Sequence, residues 1–217
     1  MCYNGTKEVI KMEEKVLSII DILKRRYPDP MCALHNEKDY ELMIAVRLSA
    51  QCTDARVNLV TPALFAAYPT LDAMAAAPIE HVEELVHSCG FYKHKARDIV
   101  LACQMLLIHY GGKVPGSMEE LLKLPGVGRK TANLLLGDLY AVPGSVVCDT
   151  HCIRICGRLG LSQGKDPEKV ENQLRAILPP EESSDFCHRI VLFGRDICTA
   201  RSPRCAECPL SMWCNAV

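Results

Sequence analysis

The chain has 217 residues, 49% of them hydrophobic and 24% charged, which is the composition of a folded protein with a substantial core. With 25 Lys and Arg against 26 Asp and Glu, a globally basic, polyanion-coating protein is excluded, although a locally basic face stays open. Thirteen cysteines, no signal-like apolar stretch near Met1 and no apolar run of membrane-spanning length predict a reducing cytoplasmic setting with free thiols.

Helical periodicity dominates the chain. Val16, Ile20 and Leu23 mark one face of a first helix, and Ala96, Ile99, Val100, Cys103 and Leu107 mark a face of another. Strand signals are nearly absent, the best being the short run Ser145–Cys148. Pro and Gly recur at short intervals, so about ten short helices with tight connections are expected, and the fold class is all-α. No flexible linker is visible, so any two lobes are expected to be packed together. Basic residues gather at Lys93, Lys95 and Arg97, at Lys123, Arg129 and Lys130, and at Arg189, Arg195, Arg201 and Arg204. These are candidates for a basic face, against which an ordinary solvated mixture of charges is the commoner outcome.

Residues Leu124–Asn133 (LPGVGRKTAN) predict a helix ending near Lys123 or Leu124, a two-glycine turn, and a new helix near Arg129. Gly126 and Gly128 allow positive φ and close backbone approach, leaving N–H groups exposed at a helix N-terminus, an anion site. This reads as a helix-hairpin-helix that grips a nucleic-acid phosphate without reading sequence, with a plain helix corner as the competing reading. Lys130 falls in the first turn of the second helix, where the positive dipole end disfavours an ammonium; most lysines are surface residues, but this one is a candidate amine nucleophile. Asp149 follows the apolar run Val146–Cys148. Asp149 or Thr150 would cap the helix carrying Ile153, Ile155 and Leu159, and the Asp149 carboxylate would also suit a cation developing on a sugar. Near the C-terminus, Cys198, Cys205, Cys208 and Cys214 are spaced to surround one compact inorganic centre, and zinc and iron–sulfur both fit that spacing. Cys2, Cys32, Cys52, Cys89, Cys103, Cys148, Cys152, Cys156 and Cys187 read as small buried hydrophobes.

Taken in order, with Leu48–Asp54 (LSAQCTD), Gly90–Ala96 (GFYKHKA), Val114–Pro115 and Val147–His151 (VCDTH), these motifs resemble the endonuclease III family of DNA base-excision glycosylases from about Leu48 to Cys214. The resemblance implies a 4Fe-4S cluster on Cys198, Cys205, Cys208 and Cys214. It implies two packed α-helical lobes with DNA at their cleft: a six-helix barrel with the helix-hairpin-helix over 36–148, and an iron–sulfur lobe of 1–35 plus 149–217. The expected partner is double-stranded DNA containing damaged bases or abasic sites. No membrane is involved, and a cytoplasmic monomer is expected, nucleoid-associated if bacterial.

The implied activity is that of a bifunctional glycosylase and AP lyase acting on oxidised pyrimidines. Lys130 attacks C1′ of an extruded nucleotide, a Schiff base forms, and β-elimination cuts the strand, while Asp149 stabilises the sugar cation and helps manage the lysine proton. Gln51 matches the family's gap-filling glutamine, and Phe91 stands where relatives usually carry a leucine wedge. His151 matches a histidine beside the aspartate, with a cap-supporting or phosphate-facing role. Gly126, Gly128, Arg129, Arg201 and Arg204 complete the expected DNA contacts. Two alternatives were weighed on the same residues. Lys130 argues against a monofunctional mismatch glycosylase, as does the short stretch after Cys214, which leaves no room for the C-terminal recognition domain of the adenine-specific relatives. Retention of both Lys130 and Asp149 argues against a non-catalytic iron–sulfur DNA-binding protein.

Overall fold

The computed structural model describes residues 3–216; Cys2 lies outside them. Their regular structure is helical throughout: α1 (Tyr3–Arg26), α2 (Asp39–Ser49), α3 (Asp54–Ala67), α4 (Leu71–Ala75), α5 (Ile79–Val86), α6 (Tyr92–His109), α7 (Met118–Leu121), α8 (Arg129–Tyr140), α9 (Thr150–Arg158), α10 (Pro167–Ile177) and α11 (Ser183–Asp196), with short 3-10 turns between and after them. Ser145–Cys148 is extended and buried but pairs into no strand. The chain divides into two compact units, Cys32–Tyr140 and Met1–Met31 with Ala141–Val217.

Local chemistry explains where helices start. Thr53, Thr70, Ser117, Asp149 and Asp166 each cap a following helix, their side-chain oxygens accepting from the backbone N–H three residues on. Pro167 follows Asp166 at the first position of α10, where a missing N–H costs nothing.

Within Cys32–Tyr140, α2 is the central element, with Tyr40–Val46 and Leu48 all buried. A helix apolar nearly all round must be covered on every side, and α3, α6 and α8 cover this one. The α6 face expected from sequence is buried through Ala96, Ile99, Val100, Cys103 and Leu106, with Leu107 half-buried, and it packs against α4 and α5. In the other unit, α11 contacts α1 and α9, and α10 contacts α1. Val16, Ile19, Ile20 and Leu23 form the buried stripe of α1.

Two residues grouped by sequence with surface charge are core residues. Lys95 is 1% exposed and Arg189 4%. Arg189 donates through Nε to the Tyr27 carbonyl at 3.1 Å and pairs with Asp185 at 3.2 Å, tying the end of α1 to α11. Other basic side chains are held within the molecule: Lys123 by Glu119 and Glu120, and Arg204 by Glu207 and by the carboxylate and carbonyl of Asp196. A neutral chain that pairs its cations this way offers less of a basic face than residue counting implies.

Candidate active site and metal centre

Two connections in the Cys32–Tyr140 unit carry exposed, conformationally strained residues. Gln51 follows α2 with φ +54, and Phe91 caps α6 with φ +48. Left-handed backbone at a residue with a side chain costs about 1–2 kcal/mol, and it persists only where surroundings impose it. Phe91 is nevertheless 63% exposed, and the ring of its neighbour Tyr92 instead lies against His87, centroids 4.4 Å apart. Lys95 imposes the geometry on both connections. Its buried Nζ donates to the Leu48 carbonyl at 2.8 Å and the Cys89 carbonyl at 2.9 Å. One ammonium thereby holds the chain just before Gln51 to the chain just before Phe91.

The glycine hairpin lies between α7 and α8. Helix α7 ends at Leu121, earlier than expected, because the chain tightens: Leu124 N bonds to Leu121 O and Val127 N to Leu124 O, each at 3.1 Å. Gly126 has φ +75, and a Cβ there would stand 2.4 Å from Arg47 Nε and 2.8 Å from Asp98 Oδ2. The hairpin therefore rests on the Arg47–Asp98 ion pair (Nη2–Oδ2 2.6 Å), both members being mostly buried. Gly128 differs: its φ is ordinary and the space at its Cβ is open. Gly128 O accepts from Ala132 N at 2.9 Å as α8 begins with Arg129 and Lys130. Lys130 is exposed in the first turn of that helix.

In the other unit, Asp149 performs the capping expected of it and keeps a second oxygen for other work. Its Oδ1 accepts from Cys152 N at 2.7 Å, and its Oδ2 lies 3.1 Å from His151 Nδ1. The Asp149 side chain is 16% exposed, so the carboxylate is oriented yet reachable. Sequence reading missed Gly194 on α11. A Cβ there would meet His151 Cδ2 at 2.6 Å and Ile155 Cδ1 at 2.9 Å, so this glycine is what lets α9 and the His151 ring lie against α11. A glycine inside a helix is the signal that would have found it.

Cys198, Cys205, Cys208 and Cys214 line one cavity of about 90 Å³, together with Arg158, Ile197 and Pro203. A single water needs only about 10–15 Å³, so the space suits a polynuclear centre, and among the described residues no three metal-binding side chains converge on a lone ion. The donor set fits an anionic cluster. Arg158 Nη1 donates to Cys198 Sγ at 3.1 Å, and Arg154 Nη2 donates to the Cys198 carbonyl at 2.9 Å. Burial, and then the three neighbouring sulfurs, hold the Cys208 thiol above its ordinary pKa. Four thiolates crowded this closely need a cationic centre among them. Arg201 is exposed on the loop between the first two cysteines, whereas Arg204 is committed to Asp196 and Glu207.

The order and chemistry of these features agree with known proteins. Residues 44–180 match the HhH-GPD superfamily of base excision DNA repair proteins, and residues 198–214 match the iron-sulfur binding domain of endonuclease III. The chain is 42% identical over 96% of its length to endonuclease III of Synechocystis sp., covering 95% of that protein. It is 43% identical to the Bacillus subtilis endonuclease III over 90% of each chain. Against the Escherichia coli K12 endonuclease III the figure is 39%, over 93% of this chain and 95% of that one. A non-covalent endonuclease III–DNA complex and a trapped endonuclease III–DNA covalent intermediate each superpose with a TM-score of 0.88 at 43% identity, over 94% of this chain and 95% of theirs. Motif order, fold and a four-cysteine 4Fe-4S centre converge, and the chain belongs to the endonuclease III family within the HhH-GPD superfamily of base-excision repair proteins.

Proposed function

We propose that this chain is a DNA glycosylase and AP lyase that removes oxidised pyrimidines from duplex DNA, with Lys130 as its nucleophile. The observation that carries the reading is an exposed primary amine in the first helical turn after the glycine hairpin. A base within a duplex is out of reach, so the damaged nucleotide is extruded first. The Lys130 amine attacks C1′ and the base departs. The resulting Schiff base acidifies C2′, and loss of that proton eliminates the 3′ phosphate and cuts the strand. Asp149 stabilises the positive charge that develops on the sugar. His151 keeps that carboxylate in place, and the N-cap bond fixes its other oxygen.

Gln51 and Phe91 enter the duplex as gap-filler and wedge. Their exposure and their fixed left-handed backbone support this, since a probe inserted between bases works best when its loop is already rigid. The hairpin receives a phosphate on the backbone N–H groups around Gly126, Gly128 and Arg129, where the open face of Gly128 leaves room. Arg201 adds charge beside the metal centre, and Arg204 adds it only on leaving Asp196. Cys198, Cys205, Cys208 and Cys214 hold the 4Fe-4S cluster. When bound, the cluster supplies four thiolate bonds that shape this loop, and the sugar chemistry runs without it. The chain acts as a monomer in a reducing cytoplasm, a setting supported by the free state of its described thiols; no helix among the described residues is long and apolar enough to cross a membrane.

Borohydride trapping on abasic duplex DNA tests the assignment. Wild type should form a covalent adduct and cut the strand. Lys130→Gln should do neither while still binding the DNA. An adduct at the normal rate in that variant would assign the amine elsewhere, and base release without strand cutting by wild type would favour the monofunctional reading.

A further inference from the structure

Cys52 directly follows Gln51, and Cys89 lies two residues before Phe91. Their thiols share a side-chain hydrogen bond. Cys89 is 2% exposed and Cys52 half-buried. The contact joins the start of α3 to the 3-10 turn His87–Cys89, elements that pack on each other. Lys95 lies beneath both, its Nζ on the Cys89 carbonyl and near enough to both sulfurs to interact with them electrostatically. This is a dithiol spanning the two strained loops with a buried cation at its side, and nothing in the glycosylase chemistry uses it.

We propose that Cys52 and Cys89 form a thiol modification site that a hydroperoxide converts to an intramolecular disulfide, pinning the Gln51 loop to the Phe91 loop. The Cys52 thiolate attacks the peroxide; the O–O bond breaks, Cys52 becomes a sulfenic acid, and the leaving oxygen departs as water from hydrogen peroxide. The Cys89 sulfur then displaces the sulfenic hydroxyl, the S–S bond forms and a second water leaves. Two thiols are oxidised by two electrons and one peroxide is reduced. The order of events follows exposure and charge. Cys52 is the accessible thiol, and burial pushes Cys89 up to about 11, so Cys89 is the resolving partner. The Lys95 ammonium and Arg56 favour negative charge on the Cys89 sulfur at the second step. The consequence for repair rests on the reading that Gln51 and Phe91 enter the duplex. A disulfide holds the two Cα atoms within about 4.4–6.8 Å and removes the independent adjustment that each loop needs on DNA.

Peptide mapping of the holoprotein tests this. The protein is treated with hydrogen peroxide while the cluster's visible absorbance is followed, remaining thiols are alkylated, and the digest is read by mass spectrometry. The expected result is a Cys52–Cys89 linked peptide formed before the absorbance falls and reversed by dithiothreitol. Cleavage at a paired lesion should drop on the order of tenfold and return on reduction, in keeping with what small misplacements of positioned groups cost. Cys52→Ser and Cys89→Ala should each keep the untreated activity and lose the reversible response. The proposal is overturned if both cysteines stay alkylatable, or if the first disulfide forms among Cys148, Cys152, Cys156 and Cys187. A Cys52–Cys89 disulfide that leaves cleavage unchanged would establish the site and refute the placement of the two loops in the duplex.

Discussion

Replacing Lys95 by Met isolates what holds the two probe loops. Methionine fills the same narrow channel through the core and removes only the ammonium, so packing loss is small. The Leu48 and Cys89 carbonyls then lose a shared donor at 2.8 and 2.9 Å in a place water does not reach. Each unpaired buried carbonyl costs about 1–3 kcal/mol. Relief of a desolvated charge returns part of that, for a net loss of roughly 2–4 kcal/mol. For a chain of this size, at about 2–4 °C per kcal/mol, the thermal midpoint should fall by roughly 5–15 °C. Amide exchange should accelerate most around Leu48–Cys52 and Cys89–Phe91, and cleavage at a paired lesion should fall more than cleavage at an already extruded one. Burial lowers the Lys95 pKa below 10.5, so between the lowered value and 10.5 the native state binds fewer protons than the unfolded chain. The cost of the buried charge is therefore fully present below that window and relieved as pH rises through it, and wild type should gain stability relative to Lys95→Met on the alkaline side. A midpoint within about 1 °C of wild type, with exchange unchanged in both loops, would refute the bridging role.

Three further outcomes are expected. Gly194→Ala should displace the His151 ring and Ile155, where a Cβ would stand at 2.6 and 2.9 Å; base release should slow with binding little changed, and an unaltered single-turnover rate would count against His151 as the support of Asp149. Purified protein should be yellow-brown with about four irons per chain, and serine at Cys198, Cys205, Cys208 or Cys214 should each bleach it while serine at Cys103 does not; a colourless protein with one zinc would overturn the cluster. Arg201→Ala should flatten the salt dependence of DNA binding by about one unit of slope, equally for damaged and undamaged duplex, whereas Arg204→Ala, breaking the contacts with Asp196 and Glu207, should alter the slope less and lower stability; equal slopes in both variants would refute that division.

Features that depend on neighbours along the chain were legible in the sequence. The all-helical class follows from apolar spacing, the start of α9 from an aspartate ahead of an amphipathic run, and the metal centre from four cysteines in a short segment. Features that depend on what lies across a fold were not. Lys95 reads as surface charge unless Leu48 and Cys89 are known to present carbonyls to it. Gly126 reads as room for a phosphate, whereas its underside is occupied by Arg47 and Asp98. The two glycines of the hairpin look equivalent in sequence, yet only Gly126 takes a positive φ. The strain at Gln51 and Phe91 has no local signal either, since neither residue type prefers left-handed backbone.

Helix α9 joins the chemistry of its own unit into one device. At its N-terminus Asp149 spends one oxygen on the cap and gives the other to His151. Toward its C-terminus Arg154 and Arg158 donate to Cys198 and Thr199, and Arg158 O accepts from Asn215 N at 2.7 Å. Both ends of a nine-residue helix are therefore tied to partners that set its position, one of them the cysteine loop. An isolated helix that short does not hold its shape in water. Anchoring by the cluster loop and packing against α11 at Gly194 supply what propensity cannot. A four-thiolate centre far from the reacting sugar in its chemistry can thus still govern the rate, because the carboxylate that must face a developing cation is fixed to the same rigid rod. Loss of the cluster should loosen Asp149 through α9, which explains how a metal centre with no part in bond breaking is compatible with being required for activity.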